Sequence, residues 1–179
     1  MATLALLGAL WMLASPASAQ ASGWMLALDA GGGLDNGGLA ATSSGEATSV
    51  SLRAGYQLPT PGLRIIPEVK AGLIRFGEDG LGNSAQEIRS MRAGLKVGLP
   101  GFISPAIYGH VGYGKLTGVE DTFPTIASGT TYDAGLALDL TLLPMINLGI
   151  HAGVNGMIDE NRSETLRWYD AGAHIEVIF

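Results

Sequence analysis

Along most of the chain, apolar and polar residues take turns. Val50, Leu52, Ala54, Tyr56 and Leu58 alternate with Ser51, Arg53, Gly55 and Gln57. A period of two marks a strand with one apolar face and one polar face; a helix would repeat every 3.6 residues. The alternation recurs in eight segments, roughly 24–32, 48–58, 63–76, 86–99, 105–115, 130–142, 146–158 and 166–179. In the sixth, Ala134, Leu136, Leu138, Leu140 and Leu142 oppose Asp133, Gly135, Ala137, Asp139 and Thr141. In the seventh, Ile146, Leu148, Ile150, Ala152 and Val154 oppose Asn147, Gly149, His151, Gly153 and Asn155. Each segment has about 9 to 14 residues, enough to cross a bilayer as a tilted strand.

The connections alternate too. PTPG, PGFIS and LPM are short, whereas GLDNGGLAATSSGEA, GEDGLGNSA and TGVEDTFPTIASG are long and DENRSET is intermediate. Antiparallel strands with tight turns at one end and longer loops at the other produce this rhythm. Two architectures fit it: a soluble sandwich or barrel whose apolar face is the core, or a membrane barrel whose apolar face meets lipid.

Two observations favour the membrane barrel. The polar parity is thick with glycine (Gly55, Gly72, Gly94, Gly98, Gly112, Gly135, Gly149, Gly153 and Gly172), as a narrow lumen requires. Aromatics of the apolar parity sit near strand ends, with Trp24, Tyr56 and Phe179 at the turn level and Tyr113, Tyr132 and Tyr169 at the loop level. Two such girdles belong at the two membrane interfaces.

Composition narrows the function. The 179 residues carry a formal charge of −6 and only 15% charged residues, which argues against a nucleic-acid partner. There is no cysteine, so no disulfide holds the fold. The apolar run Leu4–Leu13, followed by Ala17-Ser18-Ala19, reads as a secretory signal peptide cleaved after Ala19. The expected organisation is therefore a signal peptide over 1–19 and one barrel domain over 20–179.

The chain ends WYDAGAHIEVIF, with Tyr169, Ala173, Ile175, Val177 and Phe179 all on the apolar parity. With the eight alternating strands and the signal peptide, this resembles the small outer-membrane β-barrel family typified by the OmpA transmembrane domain and OmpX. The resemblance covers about Trp24 to Phe179. It implies an all-β, eight-stranded antiparallel up-and-down barrel in the outer membrane of a diderm bacterium, reached by Sec export. It also implies that the last strand is the assembly signal read by the barrel-assembly machinery.

An eight-stranded barrel has an interior just wide enough to be filled by side chains. Its inward parity carries Asp29, Arg53, Glu68, Lys70, Arg92, Lys96, His110, Asp133, Asp139, His151, Asp170, His174 and Glu176. Buried charges have to be paired, so an ion-pair and hydrogen-bond plug is expected. His151 and His174 fall on neighbouring strands; structural hydrogen bonding outweighs a metal or pH-responsive role for them. GEDGLGN and DENRSE lack the ligand spacing of a calcium loop, and turn chemistry explains both. No cofactor is expected.

Arg75, Arg89, Lys115 and Arg167 have lipid-facing parity yet lie at the loop ends of their strands. Near the interface a lipid-facing cation costs only about 0–1 kcal/mol, and a long stem can lift its charge among phosphates. These four are therefore candidate contacts for lipopolysaccharide. The expected function is a monomeric, non-enzymatic envelope protein with lipid and lipopolysaccharide as partners. Three alternatives stand behind it: adhesion or ligand binding through the loops, a small pore, and a lipid-modifying enzyme. The last lacks support, because no histidine has lipid-facing parity and no G-x-S-x-G motif occurs.

Overall fold

A computed structural model of the protein describes residues 22–35, 46–77, 86–118, 127–143, 145–160 and 165–179. The segment read as a signal peptide and the middles of the four longer connections lie outside these residues. The described chain forms eight strands: β1 (Gly23–Asp35), β2 (Glu46–Gln57), β3 (Arg64–Phe76), β4 (Gln86–Gly98), β5 (Ile103–Gly118), β6 (Ala127–Leu143), β7 (Ile146–Asp159) and β8 (Thr165–Ile178). Every neighbouring pair is antiparallel, and β1 closes on β8 to complete a barrel. Closure leaves no free sheet edge, which a membrane span demands because hydrocarbon cannot satisfy an exposed backbone. The backbones of Trp24 and Phe179 exchange two hydrogen bonds of 2.9 Å at the seam.

At the turn side β2, β3, β4 and β8 each stop one residue short of the expected ends, while at the loop side most of the observed strands run one to three residues past them. Ladder pairing continues there although the alternation weakens. At the β2–β3 turn, Gly62 takes φ 72°, a left-handed conformation that a side chain would strain. The Thr60 hydroxyl donates to the Leu63 carbonyl across the same turn.

The barrel is inside-out relative to a soluble fold. Met91, Leu136 and Ile107 on the outer wall are 72%, 65% and 60% exposed, while Arg92, Lys96 and Asp139 inside are at most 4% exposed. An apolar belt of this size facing water would aggregate, so the surface requires lipid. Trp24, Tyr113, Tyr169 and Phe179 face outward at the two expected levels. Trp24 lies beside Tyr56 in register and packs edge-on against it at 5.4 Å.

The inward parity is not polar throughout. At the loop end Ile74, Phe76, Ile88, Leu116, Met157, Leu166 and Trp168 form a buried apolar cluster with Ala47 and Ala127. Phe76 and Trp168 meet edge-to-face at 5.9 Å. The expectation of a charged plug thus needs an amendment: the ion-pair networks fill the middle of the lumen, and a mainly apolar lid covers them at the loop side. A smaller cluster of Met25, Ala27, Ile66 and Ile178 lies toward the turn end.

Inside, large rings lie over glycines of nearby strands. A Cβ on Gly135 or Gly153 would stand 2.5 or 2.6 Å from the Tyr108 hydroxyl oxygen, and one on Gly149 would stand 2.5 Å from the His174 ring. The glycines of the inner wall are seats for rings, which fits the narrow interior read from the sequence.

Candidate functional site: a filled lumen and a basic rim

All thirteen inward residues expected from parity point into the lumen, and the structure groups them into two linked networks. The first starts at Asp29, whose carboxylate accepts from the Arg53 guanidinium at 2.9 Å and from the Ser51 hydroxyl at 2.9 Å. Arg53 donates its other arm to Glu68 at 3.1 Å, and Glu68 also accepts from His110 Nε2 at 2.9 Å. His110 Nδ1 reaches Asp133, which accepts in addition from Lys70 at 3.0 Å and Arg92 at 2.7 Å. Arg92 continues to Asn155, and Asn155 donates to Asp170 at 2.8 Å. His151 Nε2 lies 3.8 Å from Asp170.

The second network is nearer the turns. Asp139 accepts from Arg64 at 2.5 Å, from Lys96 at 2.7 Å and from His174 Nε2 at 2.8 Å. Glu176 receives Lys96 at 3.1 Å, Asn147 at 2.9 Å and Arg64. Several of these pairs cross the barrel: Arg64 of β3 reaches β6, and Lys96 of β4 reaches β8. They act as struts, fixing opposite walls of the cylinder.

Within the two networks five cations (Arg53, Arg64, Lys70, Arg92 and Lys96) face six carboxylates (Asp29, Glu68, Asp133, Asp139, Asp170 and Glu176). A further inward carboxylate, Asp159, is buried at the loop end of β7. Both ring nitrogens of His110 meet carboxylate oxygens, which only accept, so this seat fits the doubly protonated ring. The side chains of the direct Arg and Lys pairs inside are at most 11% exposed. Asp139, His174 and Glu176 approach one another closely enough to suggest metal ligands. Arg64 and Lys96 already occupy their oxygens, so a metal does not fit there.

Two members of this lumen were not among the inward residues expected from the sequence. Arg64 sits at the very start of β3, and only 1% of its side chain is exposed. Tyr108 shares parity with His110 and lies between the His110 and His151 rings. Gln57, already on the polar face of β2, accepts from Arg64 Nε at 3.0 Å. Parity alone would have found Arg64 and Tyr108.

On the outside, Arg75, Arg89, Lys115 and Arg167 are all exposed at the loop ends of β3, β4, β5 and β8. Arg89 stands directly opposite Lys115 in the β4–β5 register. Arg75 stands opposite Glu87 across β3 and β4, and Glu87 accepts from Arg89 at 2.5 Å. Arg167 lies apart from this group, on β8.

Known structures share the architecture. No protein-family model matches the chain, and no curated protein sequence does. Among solved structures, Neisserial surface protein A superposes with a TM-score of 0.69 at 15% identity, covering 88% of this chain and 98% of that one. The outer membrane enzyme PagL gives 0.57 at 14% identity, covering 86% and 99%. Ail, the attachment invasion locus protein of Yersinia pestis, gives 0.56 at 14% identity, covering 87% and 99%. Fold and surface together define the class: an eight-stranded antiparallel β-barrel of the outer-membrane kind, set in lipid by its apolar exterior. That fold carries surface proteins and at least one enzyme, so function has to be argued from the residues of this chain.

Proposed function

We propose that this chain is a non-enzymatic, non-conducting outer-membrane barrel whose loop-side rim holds lipopolysaccharide through Arg75, Arg89, Lys115 and Arg167. The observation that carries the reading is the pairing of Arg89 with Lys115. Two cations directly opposite on adjacent strands repel each other, by up to about 1 kcal/mol at a surface. Glu87 relieves part of this for Arg89, leaving Lys115 and Arg75 without full compensation. An anionic phosphate lying above the pair would turn repulsion into attraction, and arginine offers it two parallel donors. The exterior below the rim is Leu, Ile, Val and Met, a surface suited to acyl chains.

A non-enzymatic role is supported by the placement of the chemistry. All three histidines of the chain face the lumen, two of them hydrogen-bonded to carboxylates, and the lid of Phe76 and Trp168 covers the interior on the loop side. A nucleophile or base serving a lipid substrate would have to stand on the outer wall. The barrel would be exported with residues 1–19 as signal peptide, inserted by the barrel-assembly machinery and active as a monomer.

Native mass spectrometry at graded salt tests the rim. Replacing Arg75, Arg89, Lys115 and Arg167 by Gln should lower the number of lipopolysaccharide molecules retained and make the remainder more salt-sensitive. Equal occupancy for the variant and the wild type would reduce the rim to ordinary interfacial anchoring.

A further inference from the structure

We infer that the β4–β5 and β6–β7 turns are sunk in the inner leaflet, at the boundary between headgroups and acyl chains, so that the lipid surface of the barrel wraps under its turn end on that side. The partner is phospholipid. Residues 98–104 read GLPGFIS and 141–147 read TLLPMIN, without one charged side chain. Leu99, Phe102, Ile103, Leu142, Leu143 and Met145 are 45–61% exposed there. The loop ends of β4 and β5 are built differently, with Glu87, Arg89 and Lys115. A turn in water collects polar residues, and an exposed apolar patch marks a contact surface.

The two turns form one patch, and it is continuous with the lipid-facing wall. Thr141 donates its backbone N–H to the Phe102 carbonyl at 2.9 Å and its hydroxyl to the Gly101 carbonyl at 3.2 Å. Ile103 stands opposite Leu140 in the β5–β6 register, and Leu140 and Leu142 share the outward parity of β6. The turn backbone is also paired as lipid demands. The Gly101 carbonyl accepts from the Ser104 hydroxyl at 3.0 Å, the Leu99 N–H donates to the Pro105 carbonyl at 3.0 Å, and the Met145 carbonyl accepts from the Ile178 N–H at 2.9 Å. Water could serve these groups at an exposed turn, whereas near hydrocarbon only internal partners can.

The height of the barrel puts the turns at the required depth. Lys115 and Ile103 lie twelve residues apart on β5. At about 3.3 Å per residue and a tilt of about 40°, they are separated by about 30 Å along the membrane normal, against an apolar band about 25 Å tall. With Lys115 about 5 Å above that band, Ile103 reaches its inner edge. The turns then fall inside the headgroup layer, which is about 5–8 Å thick. This placement needs only that Lys115 sits at the outer interface, whether or not it holds lipopolysaccharide. Across the barrel, Trp24 and Tyr56 mark the inner interface with rings that keep a polar edge toward water. The β4–β5 and β6–β7 turns offer only Leu, Ile, Phe and Met in their place, so this side lies deeper.

The chain has no cysteine, so a single introduced one carries a spin label unambiguously. Phe102→Cys and Met145→Cys are refolded as full-length barrel into vesicles of phosphatidylethanolamine and phosphatidylglycerol, with folding checked by heat-modifiable gel migration. Collision with oxygen, which concentrates in lipid, is compared with collision with a water-soluble nickel chelate present on both sides. Ile107→Cys on the outer wall and Glu160→Cys beyond β7 supply the lipid and water references. Both turn labels should favour oxygen, with a ratio nearer to that of Ile107 than to that of Glu160. A ratio equal to that of Glu160 would overturn the assignment. Weak collision with both reagents would show a second copy covering the patch and would overturn it too. Should neither variant fold, the unmodified barrel decides: hydroxyl radicals from the aqueous phase should oxidise Met145 no faster than Met91 on the outer wall, and faster oxidation of Met145 counts against the inference.

Discussion

Glu68→Ala tests whether the lumen is held by paired charges in a dry interior. The Glu68 side chain is fully buried and accepts from Arg53 at 3.1 and 3.3 Å and from His110 at 2.9 Å. Removing one partner of a buried pair costs about 3–5 kcal/mol when the other is stranded. Here Arg53 keeps Asp29, and His110 keeps Asp133, so neither cation is left alone. The expected loss is therefore smaller, about 1–3 kcal/mol, the range for stranding buried donors. With a urea dependence of about 2 kcal/mol per molar, a loss near 2 kcal/mol lowers the unfolding midpoint by about 1 M. Urea unfolding in lipid vesicles, followed by tryptophan fluorescence from Trp24 and Trp168, measures it. Glu87→Ala is the control: its partner Arg89 is 75% exposed, and such pairs contribute about 0–1 kcal/mol. Equal midpoints for Glu68→Ala and wild type would mean that water already solvates the cluster and that the plug does not hold the barrel.

Three further outcomes are expected. Leu136→Arg places a cation on the outer wall between Ile107 and Ala152, deep in the apolar belt, and should cost about 2–4 kcal/mol in bilayer stability; a wild-type midpoint would deny the lipid contact. Trp168→Ala empties the lid against Phe76 and should cost about 3–5 kcal/mol in the same titration, with no change if the lid is loosely packed. Phe179→Asp puts a charge on an outward side chain at the β1–β8 seam and should slow insertion, seen as less folded barrel on heat-modifiable gels; unaltered yield would remove Phe179 from the assembly step.

The fold was legible because lipid and lumen impose opposite demands on alternate residues, and a period of two survives any register. Parity therefore placed Arg53, Lys96, Asp139 and Glu176 inside and the four rim cations outside. Partners were not legible. Lys70 shares its face with Glu68 two residues away, yet it reaches Asp133, 63 residues along the chain on β6. Such pairs depend on how eight tilted strands bring opposite walls together, which no local pattern encodes. The lid was missed for a different reason. Phe76 and Trp168 have inward parity at the loop ends, where the lumen turns from charged to dry, and a rule of polar inside, apolar outside cannot register that change. Arg64 shares the parity of Glu68 at the start of β3, yet its partners Asp139 and Glu176 lie across the barrel, out of reach of any local pattern.

The central claim is a barrel embedded in lipid with its interior filled by paired side chains. Single-channel recording of the refolded wild-type chain in a planar bilayer tests this most directly. The structure predicts a silent membrane after confirmed insertion, because among the described residues no direct ion pair of Arg or Lys with a carboxylate inside exposes more than 11% of a side chain and the lid residues are buried. A steady, voltage-tolerant open current from folded barrel would contradict it and make the lumen a pore.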